Sequence, residues 1–358
     1  MKAKRYLVAG AATALALGLT ACGGSTGSTG SGSSASGAAS DDSNCADAAV
    51  FCIGLVTDTG KVDDKSFNQS AWEGVQAAVK ELGGVSKYVE TTDTKDYGNN
   101  IKQFTDKKYD AIVTVGFLMA DATAAAAKGS PDVKFIGVDQ AQPEKDAPAN
   151  YTSLVFPEDQ AGYAAGVLAA KLTKTGKLGQ VLGLQIPPVE KFAKGFEAGA
   201  KSVKPDVQVF AVYHPAGDNA FTDPVWGGNE AKKQLAQGAD VIFGAGGKTG
   251  NGALAEVAKA SGAGTSVFCI GVDTDQWNTV PEAQKCLVTS AMKNITLGVT
   301  DLVKQVKSAS IKGGYFNGTT GLADYHDLKG AVPAEVQTAV ADVVKGLADG
   351  SLKTGVTL

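Results

Sequence analysis

The chain has 358 residues, 44% hydrophobic and 20% charged, which is enough apolar material for a sizeable core and length for two domains at about 150 residues each. Lys2, Lys4 and Arg5 lie in the first 21 residues, which hold no acid; the rest carries 30 cations against 37 anions, a net of −7, and this excludes nucleic acid as the main partner. Arg5 is the sole arginine, so without the leader no guanidinium fork remains to clamp a phosphate or carboxylate, and neutral polar ligands are favoured.

Residues 1–21 read as a secretory signal: a basic start, an apolar run from Tyr6 to Leu19, then small residues. The run is too short for a membrane-spanning helix. Leu19-Thr20-Ala21-Cys22 resembles a bacterial lipobox, which implies cleavage before Cys22 and diacylglycerol on its sulfur. Residues 22–46 are then the lipidated cysteine and a Gly/Ser linker without core-forming residues. Four cysteines remain, Cys45, Cys52, Cys269 and Cys286. An even number in an exported chain points to disulfides. Of the three possible pairings, Cys45–Cys52 and Cys269–Cys286 are favoured as the local ones. The spacings do not match zinc motifs, and no metal or cofactor is expected.

From residue 50, β-branched runs alternate with amphipathic ones. Strands are expected at 50–57, 86–90, 111–115, 133–138 and 151–156, with helices at 69–82, 99–108 and 120–128 between them. After Pro157 the alternation restarts: helix 158–172, strand 177–184, helix 190–203, strand 207–213, helix 229–237, strand 241–245, helix 251–260 and strand 267–272. A strand at 287–292, a helix near 295–309, a short strand near 320–323 and a helix after Pro333 complete the chain. Such alternation means an α/β fold with parallel sheets covered on both faces, and its restart means two doubly wound lobes with a ligand cleft between them.

Several enzyme chemistries find no support. The two histidines, His214 and His326, sit in unrelated segments without the context of a catalytic triad. Gly244-Ala-Gly-Gly-Lys-Thr-Gly250 fails as a phosphate loop, because Ile242 stands where the first glycine belongs. It fails as a dinucleotide fingerprint at Thr249. The chain is therefore expected not to be an enzyme.

Candidate binding residues recur at strand ends. Thr57-Asp58-Thr59-Gly60 leads to Asp63-Asp64-Lys65-Ser66-Phe67-Asn68-Gln69; Gly116-Phe117 and Asp139 follow later strands. In the second half come Asn219-Ala220-Phe221-Thr222-Asp223-Pro224, Gly246 to Gly250, Asp273-Thr274-Asp275-Gln276 and Lys293. The opening V-T-D-T-G-x-x-D-D-K-S-F-N-Q-S-A-W-E-G, followed in order by F-x-D-P, D-V-I-F, G-N-G and G-V-D-x-D-Q, resembles the basic membrane protein family of bacterial lipoproteins. These are the nucleoside-binding subunits of ABC transporters, and the resemblance runs from about residue 50 to the end.

The resemblance implies a type I periplasmic-binding-protein fold, two lobes joined by a three-segment hinge: 47–155 plus 276–316, and 156–275 plus 317–358. It implies that Phe67 and Phe221 stack on a base, that Asp58 and Asn68 meet the base edge, and that Asp139, Gly247, Asp273 and Lys293 hold ribose hydroxyls. The implied protein is a monomer, lipid-anchored on the extracytoplasmic face of the cell membrane. It would bind a nucleoside, with a purine base, and hand it to a permease. A receptor for a free sugar such as ribose, or a nucleoside-cleaving enzyme, is the alternative. Two departures from the family pattern stand out: Trp226 where D-P-x-K-G would place a lysine, and Lys248 inside the glycine run 246–250, which leaves the register of the Gly247 contact open.

Overall fold

A computed structural model describes Asp42 and residues 44–143 and 145–358. The signal, the lipobox with Cys22 and most of the linker lie outside the described residues.

The first lobe contains β1 (Cys52–Thr59), α1 (Phe67–Leu82), β2 (Val85–Thr91), α2 (Tyr97–Thr105), β3 (Ala111–Val115), α3 (Ala120–Gly129), β4 (Lys134–Val138) and β5 (Tyr151–Val155). The second contains α4 (Glu158–Leu172), β6 (Lys177–Leu182), α5 (Pro187–Val203), β7 (Gln208–Tyr213), α6 (Pro224–Ala236), β8 (Val241–Ala245), α7 (Gly247–Val257), β9 (Phe268–Asp273), α8 (Gln276–Thr279) and β10 (Leu287–Lys293). The chain then returns to the first lobe for α9 (Ile295–Lys307) and β11 (Gly314–Asn317), and ends in the second with β12 (Thr320–Leu322) and α10 (Ala334–Asp349).

Each lobe is built on a six-stranded sheet, ordered β11-β5-β4-β3-β1-β2 and β12-β10-β9-β8-β6-β7. All pairs are parallel except β10–β12. Every residue of β1, β3 and β8 is buried, as expected of central strands covered on both faces. In the first lobe α1 and α9 pack on one face and α2 and α3 on the other. In the second, α4, α5 and α10 cover one face and α6 and α7 the other. Disulfides join Cys45 to Cys52 and Cys269 to Cys286.

Two of the crossings between lobes differ from expectation. The second lies at Asn294, not at 275/276, because β10 pairs with β9 and β12 and so stays in the second sheet together with α8. The third lies at Gly318-Thr319 rather than at 316/317. The three crossings are laced together: Gly318 N–H donates to Val155 O (2.8 Å), Asn294 N–H to Thr319 O (2.9 Å) and Asn294 Nδ2 to Thr319 Oγ1 (2.7 Å). Strand β11 was not expected, since its alternating half-exposed Gly-Tyr-Phe-Asn lacks the apolar run of a buried strand.

Helices α4 and α5 lie in unusually close contact, which fixes the position of the second lobe's cleft wall. A Cβ on Gly166 would collide with the carbonyl of Phe196, and one on Gly199 with that of Tyr163. Neither backbone can yield without separating the helices. Gly166→Ala is therefore expected to destabilise the protein by about 1–3 kcal/mol in urea unfolding; unchanged stability would mean that the helices can part.

Candidate functional site

The carboxyl ends of both sheets face one cavity between the lobes. All eight candidate binding residues named from the sequence line it: Asp58, Phe67, Asn68 and Asp139 from the first lobe, and Phe221, Gly247, Asp273 and Lys293 from the second. Asp64, Gly116, Phe117, Val189 and Phe192 add to its wall.

Local backbone chemistry aims these side chains. Asp58 occupies the end of β1, and Gly116, with φ +119, gives it room: a Cβ there would strike the Asp58 carboxylate. Asp64 accepts the N–H groups of Ser66 (2.9 Å), Asn68 (2.9 Å) and Gln69 (3.1 Å), so it caps the start of α1 and sets the direction of Phe67 and Asn68. Asp139 and Asp273 sit at the ends of β4 and β9, both in the left-handed region (φ 58 and 66). Aspartate tolerates that conformation better than most side chains, and the two cases stand at matching strand ends of the two sheets, on one cavity. Phe221 lies in the loop between β7 and α6, its ring against Gly183, where a Cβ would collide with it. Gly246 and Gly247 both line the cavity, whereas Lys248 reaches away to Asp63.

Lys293 organises the charges. Its ammonium pairs with Asp139 and lies 3.7 Å from Asp273 Oδ1 and 3.9 Å from Glu158 Oε1. It also stands 4.6 Å from the centre of the Phe67 ring, 5.5 Å from that of Phe156 and 5.7 Å from that of Phe192. Lys293, Asp139, Asp273 and Glu158 are all buried. Burial works against the Lys293 ammonium, but the three carboxylates outweigh it and hold its pKa above the ordinary lysine value. Burial raises Asp273, with Lys293 and Ser66 opposing. Burial, then the charge of Asp139, pushes Glu158 up to about 7. Burial also pushes Asp58 up to about 7, helped by Asp64 and Asp139, and Asp64 to about 7 in spite of its three N–H donors.

The result is a cavity rich in acceptors and short of donors. Asn68 Oδ1 and Asp139 Oδ1 are buried with no hydrogen-bond partner. An anion would meet four lining carboxylates and one ammonium; a neutral molecule with hydroxyl and N–H donors would satisfy the orphaned oxygens. Among the described residues no cluster of His, Cys, Asp and Glu suited to a metal ion occurs.

Glu158, Phe156 and Phe192 were not singled out from the sequence. A glutamate in the first turn of a helix reads as ordinary compensation of the helix dipole, and two phenylalanines in apolar runs read as core. Their common position beside the hinge is a tertiary fact. The tryptophans stay off the cavity: Trp72 packs on Tyr88, Trp226 on His214 and Trp277 on His326.

The raised carboxyl pKa values carry a sign. A carboxyl with a folded pKa near 7 and an unfolded value near 4 binds more protons when folded, so the stability of the ligand-free protein falls as pH rises from about 4 to about 7. Asp58→Asn removes one such charge. It is expected to raise stability at pH 8 on the order of 2 kcal/mol and to flatten the pH profile of urea unfolding. An unchanged profile would mean that Asp58 is ionised at no cost.

Comparison with known proteins agrees with this geometry. A family model described as ABC transporter substrate-binding protein PnrA-like matches residues 52–325. A protein named ABC transporter nucleoside-binding protein BmpA from Lactococcus lactis is 35% identical over 315 residues, covering 83% of this chain and 87% of its own. A CD4+ T-cell-stimulating antigen of Listeria innocua is 33% identical over 337 residues, covering 88% and 92%. Among solved structures, an ABC transporter solute-binding protein from Aeropyrum pernix superposes with a TM-score of 0.74 at 24% identity, covering 85% of this chain and 92% of that one, and shares the two-lobed fold. The chain belongs to the PnrA-like family of ABC transporter substrate-binding proteins, a family of binding proteins and not of enzymes.

Proposed function

We propose that this protein captures a nucleoside, with a purine base, in the cleft between its lobes and delivers it to an ABC permease. The observation that carries the reading is the pairing of Phe67 and Phe221, one from each lobe, in a cavity otherwise lined by buried acceptors. A nucleobase presents two faces to such rings, at about 1–3 kcal/mol of stacking per base, and a bicyclic purine covers more of them than a pyrimidine. Asp58 and Asn68, with its orphaned Oδ1, line the cavity and would meet a base edge. Asp139, Asp273 and Lys293, with the Gly247 backbone, line the cavity and would hold vicinal ribose hydroxyls, which donate well to ionised carboxylates. The acceptor excess and the absence of arginine from the body disfavour a phosphorylated ligand.

The name of the Lactococcus relative supports the same ligand class. The protein acts as a monomer on the extracytoplasmic face, held by lipid on Cys22, with the tether ending where Asp42 pairs with Lys87 and Lys107 and Cys45 bonds to Cys52. No helix among the described residues is long and apolar enough to cross a membrane. Ligand bound to both lobes favours the closed state by its differential affinity, which is the signal a permease can read.

Calorimetric titration of the protein, freed of carried-over ligand, against inosine, guanosine, adenosine, uridine, cytidine, thymidine and ribose tests the reading. One-to-one binding of purine nucleosides, with no free base released, is expected; silence across the nucleosides, or a response to ribose alone, would overturn it. Phe67→Ala and Phe221→Ala should each weaken binding by about 1–3 kcal/mol. Asp273→Ala should weaken ribonucleosides more than free bases, and equal losses would move Asp273 off the sugar.

A further inference from the structure

Outside the cavity, the loop after β1 makes a second set of contacts across the cleft. Lys248 Nζ reaches Asp63 Oδ1 at 2.6 Å. Asn251 Nδ2 donates to Asp64 O (2.8 Å), and the carbonyl of Lys65 accepts from Thr279 Oγ1 (2.8 Å) and Gln276 Nε2 (3.3 Å). Gln276 Nε2 also donates to Asn251 Oδ1 at 2.8 Å, bracing α8 against α7. Lys65 adopts a left-handed backbone (φ 64), which turns its carbonyl toward the second lobe. None of Asp63, Lys248, Asn251 or Thr279 lines the cavity.

We propose that these residues form an interlobe latch, in which Lys248 and Thr279 hold the closed state through Asp63 and the Lys65 carbonyl and so set the residence time of a ligand they do not touch. Lys248 is the lysine that interrupts the glycine run 246–250; its position at the start of α7 is what lets its ammonium span the lip of the cleft. Its N–H donates to Phe221 O at 2.9 Å, so the latch and the cavity wall share one backbone. Every latch contact is lost when the lobes part, and each therefore counts only toward the closed state. The Asp63–Lys248 pair is partly exposed and so is sensitive to ionic strength.

The inference rests on the nucleoside reading for its probe. Stopped-flow dissociation of inosine is measured for wild type, Lys248→Ala and Thr279→Val. Each variant is expected to dissociate about two- to fivefold faster, with little change in association rate and in ligand-free unfolding. Because inosine is neutral, added salt should speed dissociation from wild type but not from Lys248→Ala. The exchanged pair, Asp63→Lys with Lys248→Asp, should restore the slow rate that either single change loses. Equal rates in all proteins, or no rescue by the exchange, overturn the latch. If wild type binds no nucleoside, the functional reading fails and the latch is decided on ligand-free protein. Interlobe distances between spin labels at Lys80→Cys and Lys232→Cys should then show a smaller closed fraction in Lys248→Ala with Thr279→Val than in wild type, and identical distributions overturn it.

Discussion

A single ammonium, that of Lys293, is buried where the chain passes from the second lobe back to the first, and the site is arranged around it. An unpaired charge at that depth would cost several kcal/mol. Its partners come from both lobes: Asp139 from the first, Asp273 and Glu158 from the second. The charge is therefore satisfied best when the lobes are together. Three aromatic rings surround it and exclude water, which strengthens each ion pair.

That arrangement leaves the cavity with more acceptors than its own donors can use. Asp58, Asp64 and Glu158 all have pKa values raised to about 7 by burial, so ionising them at this depth costs free energy. A ligand bearing hydroxyl and N–H donors offsets that cost, and does so by touching both lobes. Selection for a neutral, donor-rich molecule and selection for closure are then the same physical event. The contacts at the lip act on the same equilibrium from outside, through backbone carbonyls and one surface ion pair rather than through the ligand.

Much of the site was legible in the sequence because doubly wound sheets place ligands at strand ends. Asp58, Asp139 and Asp273 each close a strand-like run, and a strand's end is identified by where its apolar residues stop. Phe67 and Phe221 were legible from the motifs around them. Glu158 was not: nothing in a helix-opening Pro-Glu distinguishes a carboxylate near a buried ammonium from a capping one. The crossing at Asn294 was misplaced for a related reason, since the run 287–292 reads as a strand in either lobe and only its pairing with β9 assigns it to the second. Lys248 was visible as an oddity in a glycine run, but its partner, Asp63, lies 185 positions away.

The sequence by itself determined the alternation of strands and helices, the division into two lobes near residue 156 and the residue types at the strand ends. These follow from local periodicity and from the turn chemistry of glycine, proline and aspartate, which act over a few residues. Only the tertiary structure decided that Lys293 is shared between the lobes, that Glu158 joins its carboxylates, and that the loop 63–66 meets α7 and α8. Those contacts join segments from 135 to 214 positions apart, and their partners are chosen by how the two sheets pack around three crossings, which no local pattern of residues encodes.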